Sequence, residues 1–349
     1  MYAREIMAPR ATPIENGTPI AGTWDRPFER VDLLEVLRPY RYPISRRMRD
    51  NRIKEWEAFS VQDERFCMEA FIGNFKVLQT VKIFLYMKES DETYVFGRTA
   101  PGGSWRLPQR LDNARVECRS SGFFFRVHAW LKANAVKLDV DIAATKNRPA
   151  FTAHLAFAMG SRDVSPMTVS LAFTERRSMY AFKALTPVRG DLELDGRLLN
   201  LDPGRCTGVF RDCKGFFPYR TMISSCTGMG FDDEGRRYGF HIVENQARDA
   251  QRNNENALWL DKRLTPLPPV RITTPGGPES EWVIQDMEGM VDLVFTPKTA
   301  NRSGVNFLVA KGDLFAPMGY YDGTLVTAKG EEIRVRNQWG ICEKLYLRV

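Results

Sequence analysis

Two neighbouring stretches decide the fold class: FFFRVHAW at residues 123–130 and AVKLDVDI at residues 135–142. In the second, Val136, Leu138, Val140 and Ile142 alternate with Lys137, Asp139 and Asp141. A period of two places one row on a buried face and the other in water, the pattern of a half-buried strand. The first stretch has the same period but two largely apolar rows. Phe123, Phe125, Val127, Ala129 and Leu131 form one row; Phe124, Arg126, His128 and Trp130 form the other. That suits a barrel wall facing an apolar cavity, and equally a strand buried between layers.

Working outward, the rest of the chain follows the same period. Phe75 to Tyr86 is a long apolar run with Lys76, Gln79 and Lys82 interspersed, and Tyr238, Phe240 and Ile242 alternate with Gly239, His241 and Val243. Asp195-Gly196 and Asp322-Gly323 lie between apolar runs and predict tight hairpins, because such turns need positive φ. Glu234-Gly235 and Lys329-Gly330 predict further turns. Helical periodicity is scarce, with Asp32 to Leu37 the best short candidate. No βαβ alternation is visible. These features predict an all-β chain of antiparallel strands arranged as sandwiches or barrels. A change of block near residues 176–190 divides it into an N-terminal extension (1–50), a first β domain (51–180) and a second (181–349). The Pro- and Gly-rich stretch Pro266 to Pro278 reads as a crossover within the second.

Composition agrees with a packed protein. Of 349 residues, 43% are hydrophobic and 27% charged, which excludes a disordered chain. The net charge of +7 permits an acidic partner without demanding one. The densest basic cluster is Arg38, Arg41, Arg46, Arg47, Arg49 and Arg52, with Tyr40 and Tyr42 among them. It matches no nucleic-acid motif, so no nucleic-acid partner is expected; peripheral contact with an anionic membrane is one reading and a solvated, ion-paired segment the other. Met1 to Pro13 has no apolar leader pattern, and a cytoplasmic location is expected. The six cysteines form no C-x-x-C pair and read as reduced, buried thiols. With three histidines and no close ligand spacing, no metal is expected. Phosphate-loop, dinucleotide, serine-hydrolase-elbow and zincin motifs are absent, so no cofactor is expected either.

The densest set of unusual residues runs from Gly208 to Trp259. Residues 208–221, GVFRDCKGFFPYRT, pack two arginines, an aspartate and a tyrosine among aromatics. Asn254-Glu255-Asn256-Ala257-Leu258-Trp259 adds amides and a carboxylate beside an apolar strand. Between them lies the strand that bears His241.

In these motifs and their order the chain resembles the bacterial domain-of-unknown-function family numbered 2804, which belongs with lipocalin-like proteins. Carotenoid hydratases, AttH-like proteins and plant tocopherol cyclases are its neighbours. Asp212, Gly215, Phe217, Pro218 and Tyr219 match one family motif, and Glu255-Asn256-Ala257 a second. Lys54-Glu55-Trp56 with Phe59 precedes them. Trp282, Val291 to Pro297, Gly319-Tyr320-Tyr321 with Asp322-Gly323, and Gly340 with Glu343 follow. The matches span residues 50–345. Phe217 and Met222 stand where the family often has tryptophan, which implies a changed pocket. The resemblance implies two tandem lipocalin-like, calycin-type β-barrels or curled sheets with few short helices. It also implies an apolar small-molecule ligand of terpenoid, polyketide or lipid type.

Relatives that are enzymes protonate an alkene, add water or fold a chain for cyclisation, without a cofactor. Such chemistry needs an acid in a dry pocket, where burial raises a carboxyl pKa. Asp212 is the first candidate and Glu255 the second, with Tyr219 and His241 as proton-transfer partners. Arg211 and Arg220 are candidates to hold a carboxylate or enolate oxygen. Phe217, Asn256, Trp130 and Trp259 complete the expected substrate-binding set. Each has a plainer alternative: an ion pair closing a barrel end, a corner tyrosine, a turn amide, a core aromatic. Two functions therefore stand side by side: a cofactor-independent hydratase, isomerase or cyclase, and a non-catalytic carrier or sensor of an apolar ligand. The first requires a perturbed acid in the cavity and the second does not.

Overall fold

The computed structural model describes residues 2–40, 42–306 and 311–348. The chain is nearly all β, and the described residues include one short α-helix, Arg46–Asp50, and two 3-10 turns, Leu33–Glu35 and Leu131–Ala133. Asp32 caps the first 3-10 turn, accepting a hydrogen bond from Leu34 N (3.0 Å) where a short helix was expected. Every strand pairing among the described residues is antiparallel. The strands form two curled sheets of thirteen and eleven strands, plus a small two-stranded ribbon. The expectation of two tandem curled antiparallel sheets with little helix is met.

The first sheet is two meanders joined at their centre. One runs outward from Lys54–Gln62 through Phe66–Asn74 and Leu78–Met87 to Glu92–Pro101. The other runs from Ser178–Leu194 through Phe151–Ala158, Ala135–Ile142 and Phe123–Trp130 to Ala114–Ser120. Thr207–Gly215 lies between Lys54–Gln62 and Ser178–Leu194 and closes the gap. Ser178–Leu194 crosses the expected domain boundary at 180. Its first half pairs with Met167–Ala172 and its second with Arg197–Leu201. Gly190, at φ +130°, lies in the second half, opposite Leu155 of Phe151–Ala158. The change of sheet comes later, between Gly215 and Arg220. The block change visible near 176–190 is the turn Phe173–Arg177 and this long strand, both within the first sheet.

Val136, Leu138, Val140 and Ile142, with Phe123, Phe125, Val127 and Ala129, face the interior of the first sheet and are buried. Trp24, Phe28, Val31, Leu33 and Val36 fill the same interior. Residues 1–50 are therefore not an appendage: they supply a plug, and Gly22–Trp24 pairs with Met167–Ala172. Within the basic cluster, Arg49 Nη1 turns inward to the carbonyls of Val36 (2.7 Å) and Leu34 (3.2 Å); Arg41 lies outside the described residues.

The second sheet runs from Arg263–Pro266 at one end of its strand order to Val270–Thr273 at the other. Residues 267–269 connect those two ends, and Ile272 N donates to Glu244 Oε2 (3.0 Å), tying Val270–Thr273 to the end of Arg237–Glu244, the third strand from the other edge. Its interior is filled by Tyr238, Phe240, Ile242, Leu258, Trp282, Leu293, Phe295 and Tyr321. Cys226 and Cys342 face each other there, Sγ to Sγ 3.3 Å, and all six cysteines are buried free thiols. Asp195 and Gly196 both take positive φ and make the expected hairpin turn. Asp322-Gly323 does not. It lies inside Met318–Val326, where the register slips between Tyr321 and Gly323. Gly323 sits at φ +136°, and a Cβ there would collide with the Asp292 carbonyl, so glycine here serves a bulge rather than a turn. No helix among the described residues is long and apolar enough to cross a membrane.

Candidate functional site

Both sheet interiors are packed with side chains, and the cavity lies between the sheets. Its volume is about 200 Å³. The floor is the outer face of the first sheet. Pairing registers place Lys82, Phe71, Ala58, Arg211 and Lys183 in one row across five adjacent strands. The roof is the face of the second sheet that carries Ile223, Ser225, His241, Val243, Glu343 and Leu345. The pair Arg302–Asn306 and Lys311–Phe315 contributes Ser303 and Leu314 to one side.

Alternation explains which residues reach this space. On Thr207–Gly215, Val209, Arg211 and Cys213 face the second sheet, whereas Phe210 packs into the first interior. On Arg237–Glu244, His241 and Val243 face the cavity and Gly239 packs against Leu185 of the first sheet, whereas Tyr238, Phe240 and Ile242 fill the second interior. Half of each strand's alternation thus makes a core and half makes the cavity wall.

The polar end of the cavity is an ion-pair network. The buried Arg211 guanidinium donates to Glu69 and, at 3.1 Å, to Glu343 Oε2. Ser60 donates to Glu69, and Ser225 Oγ donates to Glu343 Oε2 (2.9 Å). Lys183 Nζ lies 2.7 Å from Glu255 Oε2 and also donates to the Glu255 carbonyl (2.8 Å); Asn245 Nδ2 donates to Glu255 Oε1 (2.7 Å). Burial pushes Glu69 up to about 7, against the opposing pull of Arg211. Burial brings Lys183 down to about 8, with Glu255 acting the other way. His241 is buried with Nδ1 2.8 Å from Thr227 Oγ1. Burial, reinforced by Lys183 and Arg211, holds its pKa well below the ordinary imidazole value, so the ring is neutral.

Of the expected site residues, Arg211, Glu255 and His241 meet in this network. Asp212 borders the cavity but its carboxyl does not join the network. Its neighbours Arg211 and Cys213 face the cavity, so its carboxyl turns into the first interior, beside Glu57, Lys214 and the Tyr180 hydroxyl. It is nonetheless perturbed there: burial raises Asp212 to about 6 and Glu57, pressed against it, to about 8. Glu57 Oε2, Asp212 Oδ1 and the Tyr180 hydroxyl are buried without a hydrogen-bond partner among the described residues.

The remaining candidates serve elsewhere. Tyr219 (55% exposed) and Arg220 lie on the surface at the change of sheet, not in the cavity. Phe217 stacks on Trp56 (ring centroids 5.3 Å apart) and is core; Trp56 is the residue that reaches the cavity. Asn256 is a backbone brace, accepting from Val243 N (2.7 Å) and donating to the Pro268 carbonyl (2.8 Å). Trp259 is buried between the sheets with Nε1 on the Ser165 carbonyl (2.8 Å). Trp130 is half-exposed on the outer face of the first sheet, stacked on His128. The row to which Trp130 belongs faces water rather than a cavity, and Arg126 in it is paired with Asp139 at 2.7 Å.

Sequence reasoning missed Lys183, Glu69, Ser60, Ser225 and Thr227 as members of the site. Lys183 and Glu69 carried one available signal: each is an ionisable residue set in an otherwise apolar run. Among the described residues no three or more His, Cys, Asp or Glu side chains are placed to hold a metal.

The model for the family described as "Domain of unknown function (DUF2804)" matches residues 3–348. No curated protein matches the sequence. Among solved structures, the chain is similar to CghA, crystallised alone and with Sch210972. Each has 11% identity and a TM-score of 0.53, covering 84% of this chain and 88% of that one. It is also similar to kievitone hydratase from Nectria haematococca, with 11% identity, a TM-score of 0.50 and the same coverage. At these identities the likeness shows a shared fold.

Proposed function

The chain belongs to the DUF2804 family, and from that membership and the cavity between its sheets we propose that it binds an apolar small molecule there and performs acid–base chemistry on it without a cofactor. Hydration, isomerisation and cyclisation are the reactions in scope. The carrying observation is a neutral histidine in a mostly apolar cavity, beside a lysine brought to about 8. A neutral imidazole is in the form that accepts a proton, and an ammonium with a pKa near 8 donates one readily because that value lies close to the working pH. In a hydration, His241 takes the proton of the attacking water as its oxygen bonds to carbon. Lys183 supplies the proton added to the neighbouring carbon, and proton return from His241 to Lys183 through solvent restores the site. Apolar walls from Trp56, Phe71, Met179, Ile223 and Leu345 exclude bulk water and hold the hydrocarbon. The fold shared with kievitone hydratase supports this reaction class as an expectation.

Carriage without turnover is the second reading, favoured by the apolar majority of those walls. The two separate as follows. Protein purified from its native host is examined by native mass spectrometry, and any bound compound is extracted and identified. Turnover of that compound class is then compared between the wild type, His241→Gln and Lys183→Met. Loss of at least about a hundredfold in turnover with binding retained supports catalysis. Equal product formation by all three leaves carriage. A protein that is empty and binds no apolar dye contradicts both.

A further inference from the structure

Two lysines that line the cavity, Lys82 and Lys311, have no ion-pair partner among the described residues, and of these only Lys82 stands in the floor row. Lys183 is held by Glu255, and Arg211 by Glu69 and Glu343. Lys82 lines the same cavity, half-buried, with no acidic partner among the described residues, and burial lowers the pKa of its ammonium. Its stem lies over Gly97, where a Cβ would stand 2.7 Å from Lys82 Cδ, so the missing side chain makes room for the lysine to lie along the wall. A half-buried ammonium without a counter-charge costs free energy unless something anionic meets it.

The position of Lys82 sets a length. It begins the floor row that continues through Phe71 and Ala58 to Arg211 and Lys183. Three strand spacings separate Lys82 from Arg211, about 14 Å at roughly 4.8 Å each. Between the two charged ends the floor is a phenylalanine and an alanine. Above it, Ile223, Leu345 and Leu314 form an apolar row of the roof, in register with one another. The cavity therefore has an unmatched cation at one end, an internally neutralised polar network at the other, and hydrocarbon between.

We infer that the ligand is an elongated apolar acid: Lys82 holds its carboxylate or acidic enolate, and its far end lies at the network of Lys183, Arg211 and His241. The inference rests on the reading of this cavity as the ligand site. It assigns Lys82 the role of specificity determinant, choosing acids over neutral molecules of equal length. Lys311, over the Tyr346 ring (5.7 Å), and Asp313 also line the cavity, on the neighbouring strand Lys311–Phe315 and outside the floor row.

Dodecanoic acid and dodecanol serve as probes, with binding measured by calorimetry at about pH 8 on the wild type, Lys82→Met and Lys82→Arg. The expected result is a preference of at least about tenfold for the acid in the wild type, since a charge-assisted hydrogen bond is worth that much or more. Lys82→Met abolishes the preference while leaving dodecanol affinity unchanged, and Lys82→Arg keeps it. Equal binding of acid and alcohol by the wild type overturns the inference and leaves the cavity as the ligand site. So does an acid preference that survives in Lys82→Met. Binding of neither probe overturns the inference together with the reading beneath it.

Discussion

Arg211 Nη1, on the first sheet, lies 3.1 Å from Glu343 Oε2, on the second, while the same guanidinium holds Glu69 of its own sheet. One buried cation thus pairs with a buried carboxylate and a half-buried one and ties the sheets together at the polar end of the cavity. Removing it strands both acids. Arg211→Met is expected to cost about 3–5 kcal/mol of stability, because a buried charge left without its partner is the expensive case. Arg211→Lys is expected to recover only part of the loss, since an ammonium cannot fork between two carboxylates. Urea unfolding checks both. A loss below about 1 kcal/mol for Arg211→Met contradicts the role given to this residue.

His241 is expected to stay neutral through the mildly acid range. Its pKa is held down first by burial and then by Lys183 and Arg211. The imidazole resonances of its ring, assigned by their absence in His241→Gln, are therefore expected to remain fixed between about pH 8 and pH 5.5, below the ordinary imidazole midpoint. A midpoint near the ordinary value contradicts the buried neutral ring on which the proposed chemistry depends.

Glu57 faces Asp212 inside the first sheet, and burial raises Glu57 to about 8. A carboxyl whose folded pKa is raised binds its proton more tightly in the folded state. Its contribution is fully present below the unfolded value of 4.5 and is lost as pH rises through about 8. Glu57→Gln removes this dependence. The variant is expected to match the wild type near pH 4 and to exceed it near pH 8 by about 1–3 kcal/mol. Urea unfolding at both pH values checks the sign. A variant less stable than the wild type near pH 8 contradicts the account of this pair.

Gly323 and Gly196 both have positive φ but different surroundings. A Cβ at Gly323 meets the Asp292 carbonyl, whereas at Gly196 nothing lies within 4 Å. Gly323→Ala is expected to cost about 3 kcal/mol or more and Gly196→Ala about 1 kcal/mol. Thermal or urea unfolding of the two variants gives the comparison, and equal losses contradict the distinction between bulge and turn.

Much of the fold was legible. The two-residue period of 135–142 and the row of Phe123, Phe125, Val127 and Ala129 mark strands correctly, because burial of one face dictates that spacing. Asp195-Gly196 marks a turn correctly, because two positive φ values are a local demand. Asp322-Gly323 misleads because a bulge needs the same glycine, and only the partner strand reveals which one it is. The division near 180 misleads because Ser178–Leu194 changes partners without leaving the sheet, a long-range property. The site was partly legible. His241 and Glu255 sit in the cavity, and Arg211 with them. Asp212 lies one residue from Arg211 and so on the opposite face, and local sequence does not say which face meets a second sheet. Lys183 and Glu69 come from strands more than a hundred residues apart, joined in one sheet by Lys54–Gln62 and Thr207–Gly215 running between them.

The central claim is that the ligand space lies between the two sheets and not inside either. Ala58, at the centre of the floor row between Phe71 and Arg211, tests it most directly. Titration with Nile red, a neutral apolar dye, compares the wild type with Ala58→Phe, alongside urea unfolding of both. The account predicts saturable one-site binding by the wild type, and loss of binding in Ala58→Phe with stability changed by less than about 2 kcal/mol. Undiminished dye binding by a folded Ala58→Phe variant would place the ligand elsewhere and contradict the account.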